Sequence, residues 1–189
     1  MNNGISRRDT LRATAAILSG AAFSSSVLAS MVSADGQGLV PADQRPKVPQ
    51  PVFAYDALVL LEADISHGKS PYGERYRVPI IGGDFAGPGF KGRIVPGGVD
   101  WQLVRADGFW VIDADYFMET DDKVQIHVHN KGLWYDKDGD GVDEYCVTTP
   151  VLEAPMGKYD WLNQHIFAGT IANGLPDTPS VRLAIYKLV

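Results

Sequence analysis

Two histidines, His127 and His129, stand two residues apart in VQIHVHN, and Asp115 lies upstream in the stretch Asp113-Ala-Asp-Tyr116. A carboxylate against an imidazole fixes the ring's tautomer and orientation, and such a pair can move protons near neutral pH. Two imidazoles at i and i+2 of a strand also point to one face, where they could grip a transition metal with Asp115 as third ligand. The plainer alternative is a solvated His pair and an exposed cross-strand ion pair, worth roughly 0.2–1 kcal/mol. A second cluster lies in WYDKDGDGVDEY, where Asp136, Asp138, Asp140, Asp143 and Glu144 crowd around two glycines. Carboxylates at alternating positions of a tight loop suit a hard cation. The twelfth position of the EF-hand pattern is here Val147, so the bidentate ligand is missing and that motif is excluded. What remains is a structural Ca²⁺ site of another kind at Asp136, Asp138, Asp140 and Asp143, or a strongly hydrated turn.

Both clusters need a scaffold, and the chain's patterning supplies one. Beyond residue 51, apolar runs rich in Val, Ile, Tyr, Phe and Trp alternate with short Gly, Pro and Asp clusters, and no window sustains a helical period. Nine strands are expected, over Val52–Ile65, Arg75–Gly82, Phe90–Val95, Val99–Arg105, Phe109–Thr120, Val124–Lys131, Tyr145–Leu152, Trp161–Ile171 and Ser180–Leu188. Short, tightly connected strands of this kind indicate an all-β fold, a closed antiparallel barrel or a sandwich. In Phe109–Thr120 one stripe is Trp110, Ile112, Ala114, Tyr116 and Met118, and the other carries Asp113, Asp115 and Phe117. A three-residue loop of Asp121, Asp122 and Lys123 would pair Thr120 with Val124, set Asp115 opposite His129 and Phe117 opposite His127, and bring like stripes together. A two-residue loop would shift the register by one and mix them. If the apolar stripe faces inward, the Asp115 and His129 pair lies outside; if the polar stripe does, it lines the lumen.

The N-terminus bounds location. Ser6-Arg7-Arg8-Asp9-Thr10-Leu11 precedes an uncharged, small-residue stretch from Ala13 to Ala29, the pattern of a twin-arginine signal that carries a folded protein across a bacterial inner membrane. Residues 1–34 are read as that signal, to be cleaved near Ala34, and a stable membrane anchor is not expected because Ser and Ala dominate the stretch. The translocation machinery is then a transient partner, and the mature protein is periplasmic or secreted. Losing the signal removes three Arg and one Asp, taking the net charge from −6 to −8, which argues against nucleic acid as a partner. Residues 35–51 are a Pro-rich linker, and residues 52–189 form the domain. The single cysteine, Cys146, excludes an internal disulfide and reads as a packed residue rather than a nucleophile.

Several ordered motifs resemble one family. Pro79-Ile-Ile-Gly-Gly-Asp, Gly97-Gly-Val-Asp-Trp101, Arg105-Ala-Asp-Gly108, Asp113-Ala-Asp-Tyr116, Thr120-Asp-Asp122 and Tyr159-Asp-Trp-Leu-Asn163 with Phe167 resemble the domain of unknown function 3237 family, over nearly all of the chain from Tyr55 to Val189. The resemblance implies a closed antiparallel barrel of calycin or lipocalin-like appearance and leaves activity unassigned. Two positions depart from the family pattern, which has Arg where this chain has Asp115 and Gly where it has Lys123. The motif match singles out Asp100, either a partly buried acid or base or an acceptor for the Gly turn before it, with Trp101 as ligand platform or core residue. Asn163 either orients a ligand carbonyl or holds its own strand start.

The reading that gathers these residues is an exported barrel enclosing a small apolar or aromatic molecule, with Trp101, Tyr116 and Trp161 as lining and His127 and Asn163 as further contacts. Asp100, or the Asp115 and His129 pair, would move protons in an isomerase, cyclase or lyase type of reaction that requires no cofactor. A periplasmic carrier that binds the same molecule unchanged is the alternative. No nucleophile elbow, phosphate-binding Gly loop or Cys-based metal site is present in the sequence.

Overall fold

The computed structural model describes residues 38–137 and 145–189. The chain divides into two units, Met1–Val48 and Pro49–Val189. In the first, the described residues are exposed and form one 3-10 turn at Ala42–Gln44. The expected signal over residues 1–34 lies outside the described residues.

The second unit is almost entirely sheet. Its ten strands are β1 (Pro51–Leu61), β2 (Ile65–Ser70), β3 (Gly73–Gly87), β4 (Phe90–Ile94), β5 (Gly98–Val104), β6 (Trp110–Thr120), β7 (Gln125–Tyr135), β8 (Tyr145–Glu153), β9 (Ile166–Asn173) and β10 (Ser180–Leu188). All pairings are antiparallel. β1 pairs both β10 and β3, which closes a ring of eight strands through β9, β8, β7, β6 and β4. β2 and β5 are the two additions: they flank the first half of β3 while β1 and β4 flank its second half. Closure gives each of the eight ring strands a partner on both sides, whereas β2 pairs only with β3 and keeps one open edge.

Three strand expectations need correction. β2 was not foreseen, because Ile-Ser-His-Gly-Lys-Ser has no alternation and is exposed throughout; only β3 beside it holds it extended. β3 also runs on past Gly82, where the expected strand Arg75–Gly82 ended, through Gly83 to Gly87. Gly82 and Gly83 have positive φ, 144° and 127°, and Gly83 lies so close to β1 that a Cβ would meet the Leu58 carbonyl oxygen at 2.0 Å. The glycines let one strand bend around the barrel, with the register to β1 shifting between Leu60 and Leu61. The segment expected to begin a strand at Trp161 is instead a 3-10 helix, Asp160–Gln164.

The β6–β7 hairpin has the expected register: Asp115 opposes His129, Phe117 opposes His127, and Thr120 N–H donates to the Val124 carbonyl at 2.9 Å. Lys123 closes the loop with φ 67°, the only positive φ of a non-glycine among the described residues. The apolar stripe faces inward, with Ile112, Ala114, Tyr116 and Met118 buried and Asp115 and Phe117 exposed. Burial of the apolar side chains drives this choice.

One end of the barrel is filled. Phe90 packs against Tyr55, Phe85, Tyr159 and Trp161 with ring centroids 5.4–6.0 Å apart. Leu162 and Phe167 are buried beside them. Asp122 ties the β6–β7 loop to this plug. Its carboxylate accepts from Thr120 Oγ1 at 2.6 Å, Tyr159 Oη at 2.7 Å and Lys158 Nζ at 3.0 Å. Those donors hold the Asp122 carboxyl well below the usual carboxylate range, the Thr120 hydroxyl contributing most. Towards the other end Trp110 packs between Tyr76 and Trp134, with ring centroids 5.4 and 5.1 Å apart.

Candidate functional site

Alternation along β5 sends Asp100 and Gln102 inward and Trp101 outward. The strand can sit this close to β6 because position 98 is glycine; a Cβ there would stand 2.4 Å from Tyr116 Cβ. Pairing of β5 with β6 is regular at Val99/Asp115 and Asp100/Ala114, lapses for two residues, and resumes at Leu103/Val111 in the same register. In that gap the Asp113 N–H donates to Asp100 Oδ1 at 3.0 Å, and Gln102 Nε2 donates to Asp100 Oδ2 at 2.7 Å. A side chain thus stands in for a ladder bond, which fixes its carboxylate within the wall. Asp100 is 9 % exposed. Burial raises its pKa above the ordinary value, with the neighbouring Asp113 charge adding to the rise and the two hydrogen bonds opposing it.

Around this carboxylate lies a cavity of about 130 Å³. Its buried lining is aliphatic, from Val59, Ile80, Ala114 and Leu183, and the half-buried Gln102, Trp134 and Val181 also line it. Tyr116 and Asn130 also line it. Asn130 is 1 % exposed, and its Oδ1 has no hydrogen-bond partner; nor has the Tyr116 hydroxyl. Tyr55 is the neighbour of that hydroxyl, but the two phenols do not complete a well-formed hydrogen bond. Burial pushes the pKa of both far above the tyrosine range, so each remains a neutral O–H. Buried polar atoms are seldom left unmet without reason.

The remaining expected residues fall elsewhere. Asp115 and His129 face each other in register but do not pair. His127 Nε2 bonds Asp115 Oδ1 at 3.0 Å, His129 Nε2 bonds Asp113 Oδ1 at 2.6 Å, and Lys131 Nζ reaches Asp113 Oδ2 at 3.3 Å. Strand twist brings diagonal neighbours within reach. These contacts lie on the outer wall, away from the cavity, so neither an Asp115–His129 dyad nor a lumen contact from His127 is formed. The two imidazoles engage different carboxylates, and among the described residues no group of three or more His, Cys, Asp or Glu is placed to hold a metal ion. Trp101, expected as lining, is 42 % exposed on the same outer face.

Trp161 packs into the plug beneath Lys187, whose Nζ lies 5.4 Å from its ring centre, and so does not line the cavity. Asn163 serves the backbone: its Oδ1 accepts from Ala154 N–H at 2.8 Å, and its Nδ2 donates to the Ala154 carbonyl at 2.9 Å and to Asp160 Oδ1 at 3.0 Å. Of the loop carboxylates expected to hold Ca²⁺, Asp136 is half-buried at the end of β7, while Asp138, Asp140 and Asp143 lie outside the described residues. Gln102 and Asn130 were missed, though both follow from alternation: Gln102 is two beyond Asp100, and Asn130 extends the stripe of Val124, Ile126 and Val128.

The family described as protein of unknown function (DUF3237) matches residues 49–188. A UPF0311 protein of Clostridium acetobutylicum is 36 % identical over 127 residues, covering 61 % of this chain and 78 % of the relative. A crystal structure of a β-barrel-like protein from Acinetobacter baumannii superposes with a TM-score of 0.67 at 31 % identity, over 77 % of this chain and 99 % of that one. A structure of an enzyme from Penicillium herquei does so with a TM-score of 0.61 at 24 % identity, over 77 % and 98 %; at that identity the likeness bears on the fold.

Proposed function

Since the chain belongs to the DUF3237 family of proteins of unknown function, the site rather than the family has to supply the chemistry, and we propose that the barrel lumen is the active site of a cofactor-free acid/base enzyme, with Asp100 as the group that moves the proton. The observation that carries this reading is a carboxylate buried in an apolar cavity, with both oxygens held by donors and its pKa raised by burial. A carboxylate whose charged form is penalised is a stronger base than a solvated one, and its protonated form is available nearer neutral pH.

The reaction that suits one such group is an isomerisation. Asp100 takes a proton from a carbon beside a carbonyl, the C–H electrons form a C=C bond, and the carbonyl π pair moves to oxygen. The neutral Tyr116 hydroxyl can donate to that oxygen; where the substrate carries a neighbouring C=C, the oxygen pair then re-forms the carbonyl, the new C=C moves one bond along and so stays beside it, and the electrons of the old one take the proton back from Asp100 at the γ carbon. The size of the cavity limits the substrate, since an apolar cavity of roughly 150 Å³ admits benzene. Cyclohexanone is therefore a fitting probe. Incubated with the protein in D₂O, it should exchange its α protons at a rate that falls roughly 10²- to 10⁴-fold in Asp100→Asn, followed by proton NMR. Binding of the ketone without any protein-dependent exchange would replace the enzyme with a carrier.

The leader over residues 1–34 supports delivery of the folded barrel to the periplasm or beyond. Replacing Arg7 and Arg8 by Lys should leave the protein in the cytoplasmic fraction, and unchanged export would sink this part of the proposal.

A further inference from the structure

Asn130 is the least explained residue of the lumen. It interrupts the apolar stripe of β7, and its neighbours in register are Ala114 on β6 and Pro150 on β8. Ala114 has no polar side chain and Pro150 has no N–H, so those neighbours have no such group to offer the buried Oδ1. Tyr116, on the same cavity, presents a neutral hydroxyl that also lacks a hydrogen-bond partner. The wall therefore holds one atom that can only accept and one hydroxyl, next to that of Tyr55, that can donate. Leaving both unmet is costly.

Ligand chemistries divide cleanly on this pair. A hydrocarbon meets neither atom. A ketone or ether oxygen accepts from Tyr116 but gives nothing to Asn130. A carboxylate cannot donate either, and it would meet the Asp100 charge. An ammonium group donates to Asn130 but has no lone pair for Tyr116. A hydroxyl carries both complements, an O–H for Asn130 Oδ1 and a lone pair for the Tyr116 O–H. The aliphatic walls and the 130 Å³ volume leave room for about one carbon ring.

We infer that the lumen selects a one-ring molecule in its hydroxylic form, a phenol or a ring enol, with Asn130 and Tyr116 as the residues that read the hydroxyl. The inference rests on the reading of the lumen as a small-molecule site and deepens it. A ring ketone and its enol differ by the proton that Asp100 would move, and a site that meets the enol better than the ketone places its binding energy on the less stable tautomer. Phenol is a stable stand-in for such an enol.

Calorimetric or NMR titration with phenol, toluene and cyclohexanone, which are close in size, tests this. Phenol should bind roughly ten- to a hundred-fold more tightly than toluene and more tightly than cyclohexanone. Asn130→Leu, which removes the acceptor at similar volume, should abolish or reverse the preference for phenol over toluene, and Tyr116→Phe should weaken it; melting curves confirm that both variants are folded. Equal binding of phenol and toluene, stronger binding of cyclohexanone, binding of none of the three, or a preference untouched by both substitutions would each overturn the inference. The two readings fail separately. Phenol preference without cyclohexanone exchange removes the enzyme and keeps the recognition, whereas exchange without phenol preference does the reverse.

Discussion

Asn163→Ala distinguishes a ligand-contacting asparagine from one that serves the fold. The side chain makes a two-point contact with the backbone of Ala154, at 2.8 and 2.9 Å, and a third bond to Asp160 at 3.0 Å. Ala154 is buried, so truncation strands one N–H and one C=O at the end of β8. A bond of this kind contributes about 1 kcal/mol net, and an unmet buried partner costs about 1–3 kcal/mol. Asn163 itself is exposed, so water can reach part of the gap, and the low end of that range applies. The bond to Asp160, on the surface, adds a few tenths at most. The expected loss is about 2 kcal/mol, and at roughly 2–4 °C per kcal/mol for a domain of this size the melting temperature should fall by about 4–8 °C. Circular dichroism melting measures it, with cyclohexanone exchange followed in parallel at a temperature where the variant is folded. A melting temperature within a degree of wild type, together with lost exchange or binding, would refute the assignment and restore Asn163 to the ligand.

Two further outcomes follow from the wall around Asp100. Gly98→Ala would place a Cβ 2.4 Å from Tyr116 Cβ and 2.9 Å from the Asp115 carbonyl oxygen, forcing β5 off β6 at a cost of about 1–3 kcal/mol; an unchanged melting temperature would show that the close approach is not obligatory. Asp100→Asn should alter how stability depends on pH. The folded-state pKa of Asp100 is raised by burial above the unfolded value of about 3.9, so the folded state keeps the proton to higher pH than the unfolded state. The stability linked to that proton is complete below the unfolded pKa and is lost as pH rises through the folded one. The variant has no such titration, so its melting temperature should gain on wild type as pH rises from the unfolded value through the raised folded one; a difference that stays constant from acid to neutral pH would contradict the raised pKa.

Much of the barrel was legible in the chain because strand alternation and turn chemistry are local. The inward stripe of Ile112, Ala114, Tyr116 and Met118, the three-residue loop at Asp121–Lys123 and the opposition of Asp115 to His129 all follow from period-two patterning and one register choice. The motifs also located Asp100, the carboxylate that does line the cavity. Only the tertiary structure decided what the other polar residues face. Asp115 and His129 are opposite in register, yet twist pairs each with a diagonal neighbour, and closure of the sheet leaves them on the outer wall. Trp101 is adjacent to Asp100 in sequence and on the other side of the wall in space. Asn130 and Tyr116 come to line one cavity only because β6 and β7 are rolled into a barrel, and the polar atoms they bury there find no protein partner among the described residues. Periodicity sorts side chains into two faces, but which face is enclosed, and what it encloses, depends on contacts among strands far apart in the chain.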